Sequence, residues 1–196
     1  DSYKTNLHTA VNSALSAYSA IITDILTLLD TILAIENPSL KMQQLNTNLI
    51  FIEMNLFGEM IKINEQLKDF LFTSYLELKT KILSVVPVTD PNYGLIVTIL
   101  DILDVAVNEE LVGLFDQGRL DLFAIIASID ENTTIEMITQ DIQEFSEQLQ
   151  MDINDILDTI DFLLGALAVT VGFRIITNTE DNRLQTPVRL FRLRAL

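Results

Sequence analysis

The chain has 196 residues, 28 of them acidic and 12 basic, so it carries a net charge of −16 with 49% apolar residues and no cysteine. So negative a surface repels phosphate backbones and anionic headgroups, which sets nucleic acid aside as a partner, and the missing thiols exclude disulfides, cysteine nucleophiles and thiolate metal sites. Six glycines and four prolines are few for a disordered chain, and the length suits one domain, with or without an appendage.

The first expected element runs from about Leu7 to Glu36. Leu7, Val11, Ala14, Tyr18, Ile21, Ile25, Leu28, Ile32 and Ile35 follow one another at spacings of four and three. That rhythm keeps one seam of a helix apolar and turned towards a partner. Asn37-Pro38 ends this helix and opens the next, asparagine as N-cap and proline at the first helical position. So short a link makes the two helices an antiparallel hairpin over residues 7–86.

The second helix, about Ser39 to Val86, carries Met42, Leu45, Leu49, Ile52, Leu56, Met60, Ile63, Leu67 and Phe70. The extra step between Leu56 and Met60 is a stutter beside Gly58, a place for local unwinding or a kink. The seam then moves to Leu71, Tyr75, Leu78, Ile82 and Val85.

Residues 91–129 form an apolar helical middle. Asp90-Pro91 repeats the cap-and-proline start, Leu95 to Leu114 reads as one helix, and Leu120 to Ile129 as a short second one. Gly113 and Gly118 bracket the expected break, with Asp116 as cap. This stretch is apolar on several faces, as core or as a surface that something else covers.

The last long helix, residues 133–168, opens with a capping box of Thr133 and Glu136. Its seam is Ile135, Ile138, Ile142, Phe145, Leu149, Ile153, Ile156, Ile160, Leu163 and Leu167. From Leu167 to Thr177 β-branched residues favour extended chain. The expected fold is therefore all-α: an elongated helical bundle over residues 1–172, then a short β-like C-terminal appendage, 173–196.

Charge divides at the same boundary. Up to Gly172 there are 26 acidic and 7 basic residues, and beyond it Arg174, Arg183, Arg189, Arg192 and Arg194 face only Glu180 and Asp181. Guanidinium forks suit carboxylates, so the natural target of this tail is acidic protein surface, on its own chain or on a neighbouring copy. Asp152, Asp155, Asp158 and Asp161, a row at steps of three on the last helix, are the expected acceptors, and otherwise a solvated face.

Other constellations carry less. His8 stands alone, and no serine or buried acid is marked to work with it. No glutamate precedes a histidine by three residues, as a dinuclear bundle site needs. Asp130, Asn132 and Thr134 resemble the start of a calcium loop, but Ile135 replaces the required glycine and Asp141 the final glutamate, leaving a capping turn as the reading. Asn132-Thr133-Thr134 is a glycosylation sequon. No glycine-rich phosphate loop is present, and no cofactor is expected.

The pattern points to a non-catalytic structural or self-assembly subunit that joins copies of itself or another protein. Alternation of a long bundle with a hydrophobic head broadly resembles helical pore-forming toxins. That resemblance implies a lipid-engaging protein with 95–129 as the membrane-active segment. A carrier enclosing an apolar ligand in the same middle is a third reading. A chain numbered from Asp1 and free of cysteine is expected to be secreted or at a cell surface rather than cytoplasmic.

Overall fold

The computed structural model of the chain describes residues 2–177, with side chains as far as 172. The described residues are helical, without a strand, in four continuous runs joined by short turns. The first run is α1, Ser2–Leu33. The second joins α2, Pro38–Phe51, through a π-helical segment, Ile52–Leu56, to α3, Phe57–Val85. The third joins α4, Tyr93–Asp104, through a second π-helical segment, Val105–Leu111, to α5, Val112–Ala127. The fourth is α6, Ile135–Thr177, 43 residues long.

Two compact units share these runs. One draws on the chain up to Ala10, on Lys68–Leu111 and on the chain from Asn154; the other on Val11–Leu67 and Val112–Ile153. In the second unit Val11, Tyr18, Ile25, Leu45, Met60, Phe115 and Ile153 are sealed from solvent. In the first unit Leu7, Leu71, Ile96, Leu100, Leu103 and Ile160 form the core. The middle third is thus core along one stripe, while Leu95, Ile102, Val105, Leu120 and Phe123 point outwards.

The seams hold, with shifts that have identifiable causes. Along α1 burial follows the heptad pattern as far as Ile25 and then moves to Leu29, leaving Leu28 half-buried. A straight helix at 3.6 residues per turn drifts against a strict heptad, and the buried stripe takes the next side chain round. In the second run the buried series passes from Ile52 to Phe57, five residues on, then to Met60 and Asn64. The Phe57 N–H donates to the Ile52 carbonyl, the bond that closes a π turn. The stutter is therefore absorbed one turn before Gly58, with no break. Further on, Leu71 and Val86 are buried, while Phe70 and Val85 are exposed.

Four local expectations are corrected. Gly113 and Gly118 lie within α5, so no break separates two middle helices. Ile135–Thr177 is one helix, so Leu167 to Thr177 is not extended; Leu167 and Val171 continue its buried stripe, and burial overrides β-propensity. The rest of the expected β-like appendage, residues 178–196, lies outside the described residues. The α4 N-cap is Asn92, with no side-chain cap bond, while Asp90 Oδ1 accepts the Asn92 N–H at 2.8 Å. The α6 cap is Thr134 rather than Thr133, its hydroxyl accepting the Met137 N–H at 3.3 Å. Asn37 caps α2 as expected, accepting the Leu40 N–H at 3.0 Å.

Candidate functional site

A groove of about 600 Å³ lies between α5 and α6 in the second unit. Its floor is apolar: Leu149 is buried, and Leu114, Ile125 and Phe145 are half-buried. Gly118 permits this close packing, because a Cβ there would stand 3.1 Å from Leu149 Cδ2. The glycine expected to break a helix instead lets a neighbouring side chain lie against the backbone.

The rim of the groove is acidic, from Asp121 on α5 and from Asp141, Glu144 and Asp152 on α6. Three of these carboxylates are held by neutral amides one turn away. Gln117 donates to Asp121 at 2.8 Å, Gln140 to Glu144 at 3.0 Å, and Gln148 to Asp152 at 2.8 Å. Among the described residues no basic side chain pairs with any of the four, and none is part of a group placed to hold a metal ion.

The expected aspartate row is dispersed. Steps of three residues each turn back about 60° on a helix, so four such residues spread over half its circumference. Asp152 joins the groove rim, while Asp155 and Asp158 are exposed. Asp161, in the first unit, meets Lys4 Nζ at 2.8 Å and His8 Nε2 at 2.9 Å. Burial would raise the Asp161 carboxyl, but hydrogen bonds from Lys4 and His8 hold it below the usual carboxylate range. His8 is thus engaged rather than idle. Arg174 lies on α6 with its side chain outside the described residues; Arg183, Arg189, Arg192 and Arg194 lie outside them altogether.

Each unit also encloses polar groups among apolar ones. In the second, the Tyr18 hydroxyl contacts Asn64 Oδ1 and lies 3.1 Å from the Phe115 carbonyl, while Asn64 Nδ2 donates to Asp116 Oδ1 at 2.9 Å. Burial pushes the Tyr18 phenol well above its ordinary value. In the first, the Tyr75 hydroxyl donates to the Leu100 carbonyl at 2.8 Å, one turn before the π-helical segment where Asn108 donates to Asp104 at 2.6 Å. At the α6 start, Asp130 accepts the Asn132 N–H at 2.9 Å and the Thr133 hydroxyl at 3.0 Å. Those bonds lower its carboxyl, and both fall on Oδ1. Asn132 of the sequon is exposed.

Sequence reasoning missed Asp121, Asp141 and Glu144. The signal was present: 141, 144, 148 and 152 follow one another at three, four and four, a polar ridge one residue out of phase with the buried stripe of α6. Asn64 was also missed, because the seam was drawn through its neighbour Ile63. By length and composition one described helix, Ser2–Leu33, is apolar enough to cross a membrane; its seam is the core stripe above.

No protein-family model, curated protein or solved structure matches this chain.

Proposed function

We propose that the protein is a non-catalytic assembly subunit, a helical scaffold that associates with copies of itself. The observation that supports this most directly is the apolar surface beside the first π-helical segment. Ile50, Phe51 and Met54 are 60%, 50% and 74% exposed there, within five residues of one helical run. Contiguous exposed apolar side chains of this size mark surfaces that another molecule covers. Exposed Phe72 and Leu76, one turn apart on α3, add a second such surface in the other unit.

Sedimentation of the full chain over a wide concentration range tests this. Association that weakens in Phe51→Ser with Met54→Ser supports it; a monomer at every concentration overturns it. The lipid-engaging reading rests on the length and composition of Ser2–Leu33 and on the outward apolar positions of residues 95–123. Release of dye from vesicles by a monomeric chain favours that reading instead.

A further inference from the structure

We propose that the groove between α5 and α6 receives the C-terminal segment Val188–Leu196 of a second copy. This rests on the assembly reading and names its connector.

Charge comes first. Asp121, Asp141, Glu144 and Asp152 leave four carboxylates along one groove with no base beside them among the described residues. Glutamine amides orient three of them without neutralising them. Oriented carboxylates are the receptor that guanidinium groups recognise through paired hydrogen bonds. The segment supplies Arg189, Arg192 and Arg194 with no acid of its own.

Shape chemistry agrees. The floor between the carboxylates is Phe145, Leu149 and Ile125. The arginines of the segment alternate with Val188, Leu190, Phe191 and Leu193. An apolar floor flanked by acid thus matches a segment made of apolar and basic residues, and opposite fields of this kind fix register as well as steer encounter.

Length favours the second copy over the chain's own end. Along α6 the groove extends from Asp141 to Asp152, about 16 Å of helix rise. Nine residues span about 13 Å as a helix, most of that length, and about 30 Å extended, more than all of it. From Asp152 to Thr177 the same helix runs about 37 Å further. The eleven steps from Thr177 to Val188 reach about 40 Å, and only when fully drawn out. The chain's own segment therefore enters its groove only with every linking residue drawn out, a costly ordering, and a neighbour's is not tied to that span.

The test uses the full chain and charge exchange, read as the dissociation constant of association by sedimentation. Glu144→Lys with Asp152→Lys reverses the groove; Arg189→Glu with Arg192→Glu reverses the segment. Each pair alone is expected to weaken association roughly tenfold or more, and the four changes together to restore it. Helicity and melting temperature, measured alongside, check the fold. If the groove pair does not fold, Asp141→Asn with Glu144→Gln removes charge without adding bulk and is expected to weaken association in the same direction. Association that survives groove reversal, or a combined variant as weak as the segment variant, overturns the groove and leaves the assembly reading standing. A full chain that stays monomeric overturns both. A monomer whose melting temperature falls on segment reversal assigns the segment to its own chain and overturns the proposal as well.

Discussion

The Asn64 amide donates to the Asp116 carboxylate at 2.9 Å, and its carbonyl oxygen contacts the Tyr18 hydroxyl. A polar side chain that is 5% exposed occupies a place in a buried series otherwise held by apolar and aromatic side chains. It keeps its place because sliding the helices by a turn would strand it among apolar groups. We predict that Asn64→Ala costs about 1–3 kcal/mol, and that Tyr18→Phe costs less because the Asn64 amide keeps Asp116. The two changes should couple by roughly 0.5–3 kcal/mol in a double-mutant cycle measured by chemical denaturation. Additive costs would show that the bond contributes nothing to stability.

Two glycines on α5 should respond with opposite signs. A Cβ at Gly118 would meet Leu149 methyl carbons at 3.1 and 3.2 Å, whereas a Cβ at Gly113 meets nothing within 4 Å. Gly118→Val is predicted to destabilise by about 1–3 kcal/mol through overpacking. Gly113→Ala should stabilise by about 0.5–1 kcal/mol, because alanine orders more cheaply in a helix. Thermal melts of the two variants in parallel check the pair.

The π-helical segment Ile52–Leu56 holds one residue more than an α-helix would place between Ile52 and Phe57. Met54 within it is exposed. Removing Met54 is predicted to leave the buried series in register and to change stability by about 1 kcal/mol or less, a melting shift of about 2–4 °C. Removing exposed Glu65 instead turns Leu67, Leu71 and Tyr75 off the seam by about 100° and should abolish cooperative unfolding. Equal effects of the two deletions would mean that the wide turn is not where the register is corrected.

Acid should weaken the tie between Asp161, Lys4 and His8. The folded Asp161 carboxyl is held below its ordinary value. The unfolded chain therefore binds a proton at a higher pH than the folded one, and stability rises with pH through that interval. The contribution is complete above about pH 4, where the unfolded carboxyl is ionised, and is lost as pH falls through the lower folded value. Asp161→Asn should be less stable than the native chain at pH 7. The gap should narrow steadily below pH 4 in denaturation curves, and a constant gap would exclude Asp161 from the acid response.

Ile25 and Ile142 sit at 0% and 2% exposure on α1 and α6. Ile→Ala at either is predicted to cost about 2–5 kcal/mol, the lost transfer energy plus the cavity left behind. Denaturant midpoints shifted at constant slope would confirm that the loss is one of packing alone.

Much of the helical layout was legible because periodicity reports burial directly. Leu7 to Ile25 and Ile138 to Ile153 needed only their spacing, though further along Leu157 takes the buried place expected of Ile156, and Asn37-Pro38 marked a start through the chemistry of one cap. What spacing could not supply were the places where a neighbour decides. Leu29 displaces Leu28 as the stripe drifts round α1, and Phe57 takes the buried place after the wide turn. Gly118 reads as a helix breaker until Leu149 is seen resting on it. The run from Leu167 to Val171 has strand composition, yet two of its side chains belong to a helical core. The groove was hidden for the same reason. Asp121 lies twenty residues from Asp141, and only the packing of α5 on α6 makes them one rim.

The tie between His8 and Asp161 spans 153 residues of chain. At ribosomal speeds of roughly 5–20 residues per second, some 8–30 s separate the emergence of one from that of the other. For that interval Tyr3 and Leu7, already made, wait without the α6 side chains from Asn154 onward that belong to their unit. The unit formed by Val11–Leu67 and Val112–Ile153 is complete sooner. Synthesis therefore supplies the last piece of the unit holding Val11–Leu67 before that of the other, and Tyr3 and Leu7 are enclosed later than residues made after them.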